Sequence, residues 1–541
     1  SAYWLRVRPG TDAALAMAML NVIISEDLYD HDFVAKWCYG FDELAERVRD
    51  WTPERAAEVC WVEAEDIVGA ARLYAQADPA AIQWGLKLDQ TTNATATACA
   101  VNSLWAITGN VDNPGGNIII RNAFDQNLSY GYGYHLLPPE VQAKRLGAEF
   151  PLMSRAGYSS SAHADSVLKA IETGEPYPIR MVWMTSTNPI ANMGADAPRL
   201  FRALKSVDFV VVNDLFMTPT AIAFADLVLP AAMSPERNSQ RCWWVPNRKV
   251  TQYEECVSDD DLVTMVGKRL HPENFPWDDN VGWINHIFEH ETNDELPYKS
   301  FEEAQKVVWS YPAFTYLKHE KGLLRPDGQP GFNTPSGRIE LYNTNLMLWG
   351  YDPLPDFKEP SCSPVSSPEL AEKYPLVLTT GARSFEFFHS EHRQEGTTSR
   401  ELHPDPLFEM SPAAAEAAGL SEGDWAWIEN QRGRCRQKLH VNPSLDDRVV
   451  RAEHGWWFPE TEGAEPNLYG VFDSNINNLT PQCENGDTGF GAPYANQLCR
   501  VYPCTEENSR VLPGEQVTRR GGYSKVIDES NGDVKVGAIY G

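Results

Sequence analysis

Positive charge is scarce in this chain: 46 lysines and arginines stand against 75 aspartates and glutamates, for a formal net charge of -29. A surface of that sign repels nucleic acid and anionic membranes, so neither is expected as a partner. Close cysteine pairs are missing too. The ten cysteines include no C-x-x-C, which argues against a zinc or iron–sulfur site inside these residues. Cys499 and Cys504, the one close pair, are expected to be buried structural thiols. The apolar run at 13–24 is broken by Asn21 and falls short of the roughly 20 residues that cross a bilayer, so no direct membrane span is expected. No signal peptide is visible. The chain starts Ser-Ala-Tyr-Trp without an initiator Met, so it is expected to be processed or a fragment, and its compartment stays open. G-x-x-x-x-G-K-[ST], G-x-S-x-G, H-E-x-x-H and G-x-G-x-x-G are all absent. That weakens P-loop, serine-hydrolase, zincin and Rossmann dinucleotide readings.

What is present is an ordinary globular composition, 43% apolar and 22% charged over 541 residues. At about 150 residues per domain, three or four domains are expected. The segment "PGTDAALAMAMLNVIISEDL" reads as a helix apolar around much of its surface, hence buried. Residues 63–77 read as a second helix, 80–88 as a strand and 95–108 as a helix, before "GNVDNPGGN" breaks the pattern. From 179 to 232 an apolar strand, an Asn-Pro turn, a helix and further strands repeat the βαβ order. Residues 118–174 and 233–330 are weakly periodic and read as insertions around the sheet. Beyond the Pro/Ser-rich joint at 358–369, short strands with turn signals suggest a closed barrel, followed by a polar tail from about 505.

Several segments carry candidate chemistry, each with a plainer alternative. Asp12 in "PGTDAAL" could pair its carboxylate with two parallel N–H donors of a guanine, or Thr11 and Asp12 could merely cap the helix. Gly85 and Gln90 in "GLKLDQ" could let the backbone approach a flat ligand, or form a turn. Asp214, Thr218 and Thr220 lie at a strand end and helix start, where α/β nucleotide sites expect polar contacts and where caps are also common. Arg383, His389, His392 and Arg393 crowd together in an acidic chain, as neutralisation of a pyrophosphate or carboxylate would need, or form a solvated charged loop. The amide-rich "FDSNINNLT" and "TGFGAPYANQLC" suit the mixed donor–acceptor edge of a pterin or purine, and suit turns equally.

In order, "PGTDAALAMAMLNVIISEDLYDHDFV", "WAITGNVDNPGGN", "TNP" with "VVVNDLFMTPTAIAFADLVLPA", "FNTPSGRIELY", "LVLTTGARSFEFFHS" and "EMSPAAAEAAGLSEGDWAWIENQRG" resemble the catalytic subunit of the dimethyl sulfoxide reductase family of molybdopterin oxidoreductases. The resemblance implies dinucleotide-binding-like α/β domains followed by a C-terminal double-psi-type β-barrel. It also implies two molybdopterin guanine dinucleotides with one molybdenum or tungsten atom. On that template residues 1–108 carry contacts to the first dinucleotide, 109–357 contacts to the second, and 358–541 the barrel with its polar tail. Gly10, Thr11, Asp12, Gly85 and Gln90 then serve one half of the cofactor, and Asn188, Pro189, Asp214, Thr218 and Thr220 the other. Gly381, Arg383, His389, Ser390, Asn475, Asn478 and Gln497 form the barrel's share. Lys87 departs from the glycine expected there in several relatives.

A [4Fe-4S] cluster and the protein ligand to the metal are expected only upstream of these residues, with an iron–sulfur electron-transfer subunit as partner. "FFHSEHRQ" and "EHGWWFPE" resemble the branch holding polysulfide and thiosulfate reductases, acetylene hydratase and anaerobic dehydroxylases. Glu453, His454 and Trp456 in the second segment read equally as structural. The expected activity is reduction of a small inorganic or organic substrate. Two alternatives stand beside it: non-redox hydration or hydroxyl transfer at the same cofactor, and a metal-free scaffold with the same fold.

Overall fold

In the computed structural model, residues 1–119, 138–155, 162–241, 245–289, 298–307, 314–382, 402–482 and 486–509 are described, with two short strands at 526–527 and 534–535. The first helix, α1 (Asp12–Ser25), is buried at Ala14, Met17, Ala18, Leu20 and Ile23, on more than one face. Its alanines let α2 (Pro53–Cys60), α3 (Ala64–Gln76) and α4 (Ala94–Ile107) pack close around it. A helix apolar on all sides is stable only when enclosed, so α1 is the axis of this unit.

The expected strand at 80–88 does not form. Residues 80–85 run without sheet pairing and 86–90 make a turn. Side chains take the place of a neighbouring strand: Asn117 Oδ1 accepts from Ile82 N at 3.0 Å, Asn117 Nδ2 donates to Ile82 O at 2.9 Å, and Asn110 Oδ1 accepts from Ala80 N at 2.8 Å. An amide side chain has the donor and acceptor of a peptide unit, so it can satisfy an extended backbone without a ladder.

The second unit is a parallel sheet of β1 (Met181–Thr185), β2 (Phe209–Asp214) and β3 (Leu227–Pro230), in that order. α5 (Ala197–Leu204) and α6 (Pro219–Phe224) form its crossovers. The third is a closed six-stranded barrel: β4 (Leu376–Ala382), β5 (Leu407–Met410), β6 (Trp425–Asn430), β7 (Gly433–Val441), β8 (Val449–Glu453) and β9 (Gln497–Pro503). Round the barrel the order is β6, β7, β5, β8, β4, β9, closing from β9 to β6. β7 and β5 pair in parallel, as do β8 and β4, whereas the other neighbours are antiparallel. This mixed closure agrees with the barrel expected from the resemblance.

The chain leaving β8 does not stay on the barrel. Trp457, Leu468, Tyr469 and Val471 enter the core of the parallel sheet beside Met184, Ile190 and Val212. Trp456 and Phe458 pack together with Trp425. Glu453 Oε2 accepts from Leu407 N at 2.9 Å and lies 2.9 Å from His403 Nε2, so Glu453 links β8 to the segment entering β5. Glu453 and Trp456 thus both have partners within the fold. Of the close cysteine pair, Cys499 is fully buried in the barrel core, whereas Cys504 is half-buried.

Two ion pairs fasten later segments to the first unit. Arg8 makes a bidentate pair with Glu359 at 2.6 and 2.7 Å, so the 358–369 joint is anchored next to the start of α1. Lys318 Nζ lies 2.5 Å from Asp112 Oδ1, with the side chains 4% and 0% exposed. Asp112 also accepts from the backbone N–H groups of Lys318 and Ile119. The "GNVDNPGGN" loop thus receives the 314–340 segment. Breaking a buried pair strands the remaining charge, at a cost of about 3–5 kcal/mol. Lys318→Met is expected to lower the unfolding free energy, read from the urea transition, by that order and to move the midpoint down with it, and Asp112→Asn added to it to recover part of the loss. A midpoint unchanged by Lys318→Met would show that the pair contributes nothing.

Candidate functional site

Two seams, one between the first, helical unit and the barrel and one between the parallel-sheet unit and the barrel, collect the polar residues singled out in the sequence. At the first, Gly10 adopts φ +84°, and a Cβ there would stand 3.0 Å from Pro360 Cγ and 3.3 Å from Asn496 Oδ1. Only glycine accepts that conformation and that closeness without strain. Thr11 is fully buried, but its hydroxyl donates to Arg8 O at 2.8 Å and caps nothing. The capping alternative for Thr11 is thereby set aside, and the first turn of α1 has no side-chain cap. Burial pushes the Asp12 carboxyl above the usual range, against a hydrogen bond from its own backbone and the charge of Lys87.

The 86–90 turn crosses this seam. Lys87 Nζ donates to Thr380 O, and Ala495 N donates to Gln90 O at 3.0 Å. Thr380 in turn donates to Tyr494 O from both its N–H and its hydroxyl. Gly381, at φ +78°, has room for a Cβ only 3.3 Å from Gln90 Oε1 and 3.5 Å from Lys87 Nζ. Gly10, Asp12, Lys87, Gln90, Thr380, Gly381 and Asn496 are thus linked across one seam. Gly85 is exposed, and a Cβ there would meet nothing. Gln497 turns back on its own loop, donating to Pro493 O at 3.0 Å and Asn496 O at 2.8 Å. The neighbouring Asn496 is the amide that faces Gly10. The sequence held that signal in the same "ANQ" triplet, but nothing in it says which amide points outward from the turn.

At the second seam Pro189 opens a short wide turn, Pro189–Met193, and Asn188 is 4% exposed. Asn188 Oδ1 accepts from Thr220 Oγ1 at 2.6 Å. Thr218 caps α6 by accepting from Ala221 N at 3.2 Å. Asn475 reaches across from the barrel, donating to Ile190 O at 2.7 Å, and Asn478 donates to Phe472 O at 2.8 Å. The Asn-Pro turn, the start of α6 and the 475–480 loop therefore form one polar lining. Asp214, at the end of β2, accepts from Leu215 N at 2.7 Å. Burial lifts its carboxyl to about 6, helped by Asp259 and opposed by backbone N–H groups of Leu215 and Phe216. Arg383, His389 and Ser390 lie outside the described residues.

Four amide atoms along these seams are buried with no hydrogen-bond partner: Gln90 Oε1, Asn496 Oδ1, Asn188 Nδ2 and Asn478 Oδ1. An unmet buried polar group costs about 1–3 kcal/mol, so these four, among other unpartnered buried atoms of the described residues, would be satisfied by a ligand with both donors and acceptors. A pterin or guanine ring edge has that mixture, and the close approach at Gly10 and Gly381 suits a flat group. The residues present fit such a ligand. A cavity of about 690 Å³ also opens beside Glu359 and Ser361, lined in part by Thr92, Asn93, Tyr351, Asp356 and Thr488.

The family model for molybdopterin oxidoreductase matches residues 1–240, and that for the molybdopterin dinucleotide binding domain matches 376–498. Acetylene hydratase of Syntrophotalea acetylenica is 33% identical over 538 residues, 93% of this chain and 71% of that protein. The chain belongs to the molybdopterin oxidoreductases. Among solved structures, acetylene hydratase from Pelobacter acetylenicus superposes with a TM-score of 0.81 at 31% identity, covering 93% of this chain and 71% of that one. Dopamine dehydroxylase of Eggerthella lenta is 29% identical over 86% of this chain, which spans 53% of that relative. The alpha subunit of F420-dependent formate dehydrogenase from Methanocaldococcus jannaschii is 28% identical over 83% of this chain and 64% of its own length. These relatives are enzymes, and the scaffold alternative gives way to membership of an oxidoreductase family.

Asp214 offers a direct check on the electrostatics. Its folded carboxyl titrates near 6 against an ordinary 3.8, so the folded state binds the extra proton and gains stability as pH falls through that window. Above 6 the ionised, desolvated carboxylate opposes folding. Asp214→Asn is therefore expected to be the more stable protein above pH 6, with its advantage shrinking as pH falls toward 3.8. Urea midpoints of the two proteins across that range measure it; a gap independent of pH would refute the assignment.

Proposed function

We propose that this chain holds two molybdopterin guanine dinucleotides with one molybdenum or tungsten atom, and forms the catalytic portion of an enzyme that reduces a small inorganic or organic substrate. The observation that carries this reading is the set of unpartnered amide atoms on two linings that share one barrel. One lining, with Gly10, Thr11, Asp12, Gln90, Gly381 and Asn496, would hold one dinucleotide. The other, with Asn188, Pro189, Asp214, Thr218, Thr220, Asn475 and Asn478, would hold the second. Gly85 and Gln497 keep a supporting part in the turns beside the first. Arg383, His389 and Ser390 supply cation and hydroxyl chemistry suited to a pyrophosphate in a chain of net charge -29.

When bound, the metal and its dithiolene sulfurs supply two-electron and oxygen-atom chemistry. The chain's own part is to bind, orient and exclude water. Buried carboxyls at Asp12 and Asp214 accept N–H donors, and their raised affinity for protons makes a donor-bearing ligand the favourable companion. Asn188, fixed through Oδ1 by Thr220, keeps its Nδ2 donor aimed in one direction. Such pre-set amides need no reorganisation when a ring edge arrives. An iron–sulfur electron-transfer subunit is the proposed partner, supported by the likeness to an alpha subunit of a formate dehydrogenase.

A second reading is non-redox hydration, supported by the similarity to acetylene hydratase over 93% of this chain. Turnover that continues with no electron donor or acceptor being consumed separates it from reduction.

Metal analysis by mass spectrometry, with release of guanine nucleotide by mild acid, tests the cofactor reading on protein purified anaerobically. Metal and two guanine nucleotides per chain are expected. Gly10→Val, which puts a Cβ 3.0 Å from Pro360 Cγ at a positive φ, is expected to retain roughly tenfold less nucleotide. Full retention by Gly10→Val would remove Gly10 from the binding lining.

A further inference from the structure

Lys87 is left over from the reading above. Its ammonium carries three N–H donors, and one of them goes to Thr380 O. Among the described residues no carboxylate lies within ion-pair distance of it. The charged groups facing it are Arg451 on β8, which is itself paired with Glu409 at 3.2 Å, and Asp12 on α1, which acts at longer range. Burial holds this ammonium down at about 8, with Arg451 pushing the same way and Asp12 opposing. Three residues along the same turn, Gln90 Oε1 is a buried acceptor with no donor. Both atoms meet at Gly381, where a Cβ would be 3.3 Å from Gln90 Oε1 and 3.5 Å from Lys87 Nζ. Spare donors and a spare acceptor therefore stand side by side at a spot that glycine keeps open.

The chemistry of that pair discriminates between ligands. A phosphate presents acceptors alone; it would satisfy Lys87 but set its oxygens against Gln90 Oε1 and the Asp12 carboxyl. A lactam edge, a ring carbonyl next to a ring N–H, satisfies both groups at once. We propose that Lys87 and Gln90 together recognise a lactam edge of the bound cofactor, Lys87 donating to the ring carbonyl and Gln90 Oε1 accepting from the adjacent ring N–H. The proposal rests on the molybdopterin reading of this seam and gives a part to a residue that stands where the family resemblance expects glycine. Guanine and the pterin both present this edge.

The test uses the 541-residue chain freed of bound nucleotide, as wild type, Lys87→Met and Lys87→Gln. Binding of GDP and of 6-hydroxymethylpterin is measured, with ADP, which has no lactam, as the control. Lys87→Met is expected to weaken GDP or the pterin by roughly tenfold or more and to leave ADP unchanged; whichever probe weakens names the ring. Wild-type binding of that probe should fall as pH rises through about 8, where the ammonium is lost. Lys87→Gln keeps a donor without the charge, so it should weaken binding less than Lys87→Met, to about the level of wild type above pH 8, and lose the pH dependence. Urea midpoints show that the variants are folded.

Equal weakening of GDP and ADP would overturn the proposal in favour of phosphate anchorage. Unchanged binding of both lactam probes by Lys87→Met, or no binding of either by wild type, would overturn it as well. Nucleotide content of the freshly purified proteins keeps the two readings apart. If wild type carries the cofactor and Lys87→Met carries as much and releases it as slowly, the Lys87 assignment alone falls. If wild type carries none, the broader reading falls.

Discussion

Closure of the barrel through pairing of β9 with β6 is the constraint on which both seams depend. Trp427 faces Tyr502 and Ile428 faces Val501 across that pairing. With the ring closed, the 494–496 loop and the end of β4 are held together through Thr380 and Tyr494. The same ring carries the 474–480 loop, which is anchored on β7 through Gln437, whose Nε2 donates to Ser474 O at 3.1 Å. Each of the two units then meets a rigid partner, not a set of mobile loops. A closed barrel has no free edge, so its rim loops are the natural place for ligand contacts.

The seams differ in how they are fastened. At the first, an acidic chain brings a lysine, a carboxylate and several amides into a small volume, and Arg8 with Glu359 locks the adjoining segment. Electrostatics dominate there. At the second, packing dominates: the chain after β8 buries Trp457, Leu468 and Tyr469 in the sheet's own core and so carries Asn475 and Asn478 to the Asn-Pro turn. The Asp112 and Lys318 pair plays the same fastening part for the 314–340 segment.

Much of the architecture was legible in residue patterns. The all-round apolar surface of 12–25 indicated an enclosed helix, and α1 is one. The βαβ order at 179–232 and the short strands beyond 375 indicated the sheet and the barrel, because alternation and turn residues act locally. The strand expected at 80–88 was misjudged for a tertiary reason. "AAIQWGLKL" has strand propensity, but Asn110 and Asn117, distant in sequence, satisfy its first backbone groups instead.

For the candidate site, the sequence alone determined which residue types were available: glycines at tight positions, amides in "NINN" and "ANQ", carboxylates at Asp12 and Asp214. Those follow from covalent chemistry and local spacing. Only the tertiary structure decided which of them are spent on the fold and which are left over. Gln497 and Thr218 are consumed by their own turn and helix, whereas Gln90, Asn188, Asn478 and Asn496 each keep one buried atom unpaired. Whether a polar atom finds a partner depends on what a second, distant segment brings within about 3 Å, and no local pattern specifies that.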